Sequence, residues 1–238
     1  MTLFQSLRPL KRWIIRRTRR PRPGSVDFGD LRRWDPISRD WGFDRGTPVD
    51  RFYIESFLGA WDKFITGHVL EIADNAYTRR FGGDRVIRSD VLHPFSGNPR
   101  ATLVADLGTG EGIVSDRFDC IICTQTLQFI FPVQKAVESL HQLLKPGGVL
   151  LATVPGISQI SREDMELTGD FWRFTTESIT RLITPVFGQA DAVEAYGNVY
   201  AATAFLHGVA AEELDSTALN YRDSQFQVVI AAVARKSV

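Results

Sequence analysis

Cys120 and Cys123 are the first residues to weigh for chemistry, because a Cys-x-x-Cys pair can cycle between dithiol and disulfide. Redox pairs of that spacing sit where a helix begins after a strand. Here both sulfurs lie inside the apolar run Phe118-Asp119-Cys120-Ile121-Ile122-Cys123. In a strand, a separation of three sends the two side chains to opposite faces, so both read as core residues. The four histidines, His68, His93, His141 and His207, are scattered without the spacing of metal ligands, and no metal is expected. His93 and His207 are candidates for a general base, with an ordinary structural histidine as the alternative for each. The sequence contains no P-loop, no Gly-x-Ser-x-Gly elbow and no Asp-x-Asp clamp.

The elements that would position such residues follow from periodicity. Thr47-Pro48-Val49-Asp50 reads as a helix start capped by Thr47, and apolar residues from Val49 to Phe64 recur at spacings of three and four. Gly67 ends that helix. Strands are expected over Val69–Ile72, Arg85–Leu92, Thr102–Leu107 and Phe118–Cys123, then a helix over Pro132–Leu144 stopped by Lys145-Pro146-Gly147-Gly148, then a strand over Val149–Val154. Strand, helix and strand in close succession make a βαβ unit and a mostly parallel sheet. Beyond Pro155 the chain reads as irregular until Thr175, which caps a helix stopped before Pro185. Strands at Ala192–Tyr196 and Gln225–Val233 follow.

At 238 residues, one domain or one domain with an appendage is expected. A hydrophobic fraction of 44% against 24% charged residues excludes a disordered or fibrous chain, and no apolar run approaches the roughly 18 residues of a membrane span. The net charge of zero conceals an asymmetry. Residues 1–22 hold eight basic groups and no acid, which leaves 20 basic against 28 acidic groups in residues 23–238. The organisation expected is a basic flexible arm over 1–24 and an α/β domain over 25–238, with 156–174 as a substrate-side insertion or lid. Apolar and basic residues interleave in the arm, as in segments that settle on an anionic membrane surface or polyanion; a solvated terminus is the alternative. It has no uninterrupted apolar stretch of the secretory kind. Two cysteines suit a reducing, cytoplasmic setting, and the acidic body argues against a nucleic-acid partner.

From Arg45 onward the layout resembles the class I S-adenosylmethionine (SAM) dependent methyltransferases. The most specific pieces are Phe118-Asp119-Cys120-Ile121-Ile122, then Leu127-Gln128-Phe129-Ile130, then Leu144-Lys145-Pro146-Gly147-Gly148-Val149-Leu150 and Pro155. Asp170-Phe171-Trp172-Arg173-Phe174-Thr175 is similar to a segment of type 11 methyltransferases found among polysaccharide and glycosyltransferase proteins. The resemblance implies a Rossmann-like three-layer sandwich with a seven-stranded, mostly parallel sheet whose last strand is antiparallel. SAM is the implied cofactor. It also implies site residues: Glu71 near the SAM amino group, the turn Ala73, Asp74 and Asn75 under the methionyl part, Asp90 on the ribose hydroxyls, and Asp106 with Leu107 at the adenine. Thr124 and Gln125 would face the sulfonium and the acceptor. Asp170 and Arg173 would hold a polar or sugar-like acceptor or close a salt-bridged lid. Arg45, Asp50, Arg51 and Tyr53 would fold over the cofactor.

In the family the first strand runs into a Gly-x-Gly-x-Gly turn; here Ala73-Asp74-Asn75-Ala76-Tyr77 stands in its place, with Asn75 best suited to left-handed angles. Ala105-Asp106-Leu107-Gly108-Thr109-Gly110-Glu111-Gly112 is a better copy of that turn by type. Only residues 113–117 separate it from the Phe-Asp strand, which is too short for the helix and strands that must intervene. The implied activity is methyl transfer to an oxygen of a small-molecule, glycan or glycolipid acceptor in polysaccharide biosynthesis. The alternative is a non-catalytic binding or scaffold protein of the same shape.

Overall fold

The structure is a computed structural model that describes Pro21, residues 24–27 and residues 29–238. The basic arm of residues 1–22 lies, apart from Pro21, outside the described residues. The chain divides into two units at Pro36 and Ile37. In the first unit, Gly29–Leu31 form one 3-10 turn, entered by a hydrogen bond from Gly29 N to Asp27 Oδ1 (2.9 Å). The second unit, 37–238, carries the sheet.

Its seven strands are β1 (Gly67–Ile72), β2 (Val86–His93), β3 (Leu103–Val104), β4 (Phe118–Thr124), β5 (Leu144–Pro155), β6 (Ala192–Tyr196) and β7 (Val229–Arg235). They lie in the order β3-β2-β1-β4-β5-β7-β6. β7 runs antiparallel to both neighbours and the rest are parallel, as the sequence predicts.

The central strands are apolar through their middles because both faces are covered. Leu70, Ile121 and Leu150 point to a core shared with helices α2 (Val133–Leu143) and α4 (Thr176–Phe187). Val69, Ile122 and Leu151 point to the opposite core, under α1 (Val49–Ala60) and α5 (Val199–Leu206). Cys120 belongs to this second core and Cys123 to the first, on the opposite faces that their spacing requires. Burial pushes both thiols up, Cys123 to about 12, so neither is a nucleophile at neutral pH.

The Phe-Asp and Lys-Pro-Gly-Gly pieces turn out to be one device. Asp119 of β4 accepts both Lys145 Nζ (2.8 and 2.9 Å) and the backbone N–H of His68 (2.8 Å). It thereby ties the starts of β1, β4 and β5 together.

Several local expectations are corrected. Thr47 does not cap α1; Pro48 occupies the cap position, and Thr47 gives its N–H and Oγ1 to Glu212. β3 is two residues long rather than six, because Ala105 to Gly112 coil into a loop. Residues 156–174 contain α3 (Arg162–Leu167), capped by Ser161 on Asp164 N. α4 runs past Pro185 to Phe187; so near the end of the helix, the missing N–H forfeits a single bond. α6 (Ser216–Asn220) precedes β7, which starts at Val229 rather than Gln225. No helix among the described residues is long and apolar enough to cross a membrane.

Candidate active site

Strand order reverses between β1 and β4, and in an open α/β sheet the crevice beyond the carboxyl ends of such strands is where ligands bind. A cavity of about 1430 Å³ opens there. That volume exceeds the usual range for one small ligand and admits two molecules side by side.

β1 delivers Glu71 to its floor. The carboxylate is 2% exposed and accepts Tyr77 N (3.2 Å), Thr78 N (2.7 Å) and Thr78 Oγ1 (2.7 Å). It holds the entry to a π-helical turn, Thr78–Gly82, that leads by a short turn into β2. Burial pushes its pKa up to about 7, against the pull of those hydrogen bonds.

Ala73 and Asp74 line the cavity. Ala73 holds φ of 71°, the left-handed conformation that a glycine would take there. Its N–H bonds Leu92 O (2.9 Å) and its carbonyl accepts Asn98 Nδ2 (2.8 Å). Asn75, the residue expected to go left-handed, does not. It turns from the cavity and reaches Ser89 Oγ (3.2 Å). The turn thus keeps the shape of the glycine motif with the strain placed on Ala73. Ala73→Gly is expected to stabilise the domain by about 1 kcal/mol in urea unfolding, the left-handed penalty less the entropy cost of glycine; a loss of stability would refute the reading of strain.

Asp90 is not at the crevice. β2 continues to His93, so Asp90, level with Leu70 of β1, sits inside the strand. Its side chain joins His68 Nε2 (2.8 Å), Arg117 Nη2 (2.7 Å) and Thr102 Oγ1 (2.9 Å). The expected ribose acid is a buried structural carboxylate. His93 occupies the strand end and lines the cavity, its Nδ1 on the backbone of Phe95. His207 lies elsewhere, at the end of α5, with a buried Nδ1 that lacks a partner.

Asp106 and Leu107 line the cavity from beyond β3. Asp106 Oδ1 accepts Gly108 N (2.7 Å), and its backbone closes a loop through Gly110 N and Glu111 O. The glycine-rich string is therefore an edge turn. A Cβ on Gly112 would meet Val104 O at 2.6 Å.

Thr124 ends β4 and Gln125 follows it, and both line the crevice. Asp170 and Arg173 sit beside it, around a smaller chamber. Their bidentate pair (2.6 and 2.9 Å) also holds Ser161 N and the carbonyls of Ser158 and Gln159, so the two charges are spent on fastening the segment before α3. Burial raises the Asp170 carboxyl, but Arg173 and the Ser161 amide hold it below the ordinary range. Of the residues expected to fold over from the amino-terminal side, Arg51 lines the cavity and donates to Tyr77 OH (2.8 Å). Asp50 reaches the smaller chamber, Tyr53 is buried with its OH on Leu219 O, and Arg45 pairs with Glu213.

Sequence reading missed Phe43, Phe95, Phe131, Leu167 and Phe171, apolar residues around the cavity that are 46% or more exposed. It also missed Gln128. These come from separate segments, and only Ser161-x-x-Asp164 carried a local signal, the cap that starts α3. Among the described residues no cluster could hold a metal ion.

An open sheet of this order, with an antiparallel β7 and a crevice beyond β1 and β4, defines a Rossmann-like architecture. Residues 99–152 match the family Methyltransf_11, described as a methyltransferase domain. Among solved structures, the N-methyltransferase NodS from Bradyrhizobium japonicum WM9 in complex with S-adenosyl-L-homocysteine is similar at 14% identity and a TM-score of 0.52, over 84% of this chain and 94% of that one. The Burkholderia thailandensis 1,6-didemethyltoxoflavin-N1-methyltransferase, also with S-adenosylhomocysteine, is similar at 13% identity and 0.51, over 78% and 77%. The [4+2]-cyclase SpnF is similar at 15% identity and 0.53, over 82% and 84%. Comparison with the curated proteins finds no match. The fold is that of the class I SAM-dependent methyltransferases.

Proposed function

We propose that the chain is a SAM-dependent methyltransferase acting on a small-molecule or glycan-type acceptor. The observation that supports it most is the Ala73 turn: a non-glycine residue held left-handed under a cavity large enough for a cofactor and a second molecule. SAM supplies an electrophilic methyl group when bound. In this reading the backbone of Ala73 and Asp74 supports its methionyl part, Asp106 and Leu107 border the adenine, and Thr124 and Gln125 face the acceptor. The part of the chain in the transfer is alignment and exclusion of water, by aromatic side chains around the cavity and by α3. His93 is the base candidate the cavity retains.

The finer expectations belong to the same proposal: an oxygen as the methylated atom, a role in polysaccharide biosynthesis, a cytoplasmic setting, and peripheral membrane contact through residues 1–22. A second reading, a binding or scaffold protein without catalysis, has one observation behind it. Tyr77 fills a position where the family has glycine, and Arg51 closes onto it. Calorimetric titration with SAM and with S-adenosylhomocysteine separates the two. Micromolar binding of both is expected; no binding to the folded protein would favour the scaffold.

A further inference from the structure

Beside the cavity lies a chamber of about 210 Å³ that shares Phe43, Arg51, Gln125, Phe129 and Asp164 with it. That is too small for a whole ligand and right for one group of a ligand. Two polar atoms of residues lining it are buried without a partner, Gln125 Nε2 and Gln128 Oε1. Gln128 is 4% exposed, and its Nε2 is committed to the carbonyl of Gln125 (2.9 Å), which leaves Oε1 with nothing to accept. Gln125 is held at φ of 46° while its own N–H bonds Thr153 O (2.8 Å). Buried polar groups in native proteins nearly always find partners, so an orphan donor and an orphan acceptor at one chamber point to a ligand that supplies both.

The charges nearby set the class. Asp170 and Arg173 neutralise one another, Arg51 stands beside Asp50, and the Asp164 carboxylate accepts Ser161 Oγ (2.6 Å), so the charged groups lining the chamber are already engaged. Trp41, Phe43 and Phe129 contribute aromatic rings. The chamber therefore suits a flat, neutral group.

We propose that this chamber is the acceptor subsite of the methyltransferase reading, on which the word acceptor rests, and that it takes an amide or lactam edge. Gln125 Nε2 donates to the carbonyl oxygen of that edge, and Gln128 Oε1 accepts its N–H. Gln125 and Gln128 are then the residues that set specificity.

The test is a saturation-transfer NMR titration of the full chain with 2-pyridone and with 1-methyl-2-pyridone, which lacks the N–H. The wild-type protein should bind 2-pyridone about tenfold more tightly, the worth of roughly one hydrogen bond. Gln128→Leu should abolish that preference. Gln125→Asn, which keeps a residue tolerant of left-handed angles but shortens its reach, should weaken both probes alike, because each keeps the carbonyl oxygen. Equal binding of the two probes, as expected if the chamber holds only water, would overturn the proposal, as would a preference that survives Gln128→Leu. SAM titration of the same proteins keeps the two readings apart. Variants that lose the preference yet bind SAM like wild type locate the loss in the chamber. A wild-type protein that prefers 2-pyridone but never binds SAM keeps the subsite and removes the methyl-transfer reading.

Discussion

Asp90→Ala should destabilise the domain by about 3 kcal/mol in urea unfolding while leaving affinity for SAM in the remaining folded protein unchanged. The side chain of Asp90 is 3% exposed and is held by His68, Arg117 and Thr102, with Arg88 at 3.5 Å. Burial raises its pKa, and the hydrogen bonds of His68 and Thr102 with the charges of Arg117 and Arg88 bring it below the ordinary carboxylate value. A depressed pKa contributes stability above the unfolded value, near 4, and that stability is lost as pH falls through the folded value. Alanine removes the carboxylate and leaves a guanidinium and an imidazole around a space that no longer compensates them. A residue on the ribose would behave in the opposite way. A large loss of SAM affinity with intact stability would return Asp90 to the cofactor site.

The second large effect concerns Glu71 and has the reverse sign. Its pKa rises from 4.5 to about 7 because burial penalises the charged form more than its three hydrogen bonds favour it. A raised carboxyl pKa contributes stability that is fully present below pH 4.5 and is lost as pH climbs through 7. Between pH 5 and 8 the wild-type protein should lose about 2.5 kcal/mol relative to Glu71→Gln, at roughly 1.4 kcal/mol per pH unit of displacement. Urea unfolding of both proteins across that range measures the difference, and parallel curves would show that Glu71 does not titrate there. The two carboxylates thus pull in opposite directions: Asp90 contributes less as pH falls, and Glu71 contributes less as pH rises.

These two residues also show what the sequence could and could not reveal. β4, α2 and β5 were legible because a strand covered on both faces is apolar throughout, and because Lys145-Pro146-Gly147-Gly148 is a stop signal that needs no tertiary context. Glu71 was placed rightly at the end of β1, since Ala73 and Asp74 end the strand at once. Asp90 was misplaced because the run through Leu92 and His93 stays extended, and nothing local says whether an acid ends a strand or sits inside it. The exchange of roles between Ala73 and Asn75 was illegible for a related reason. Propensity favours asparagine at positive φ, but the bonds of Ala73 to Leu92 and Asn98 fix the conformation two residues earlier. Gln128 could not be singled out, since only the three-dimensional arrangement shows that its amide oxygen is alone.

The place of β7 in the sheet has a consequence for how the chain emerges from the ribosome. β7 pairs with β5 on one side and β6 on the other, yet Val229 follows Pro155 by more than seventy residues. Until residues 229–235 have been synthesised, β5 presents an open backbone edge and β6 has nothing to pair with. The nascent domain must carry an unsatisfied, apolar strand edge through the synthesis of α3 to α6. Pairing of such sequence separation is slow to form and exposed to misassociation in the meantime. Completion of the sheet is therefore a late event, and the step at which nascent chains of this protein would depend most on a chaperone.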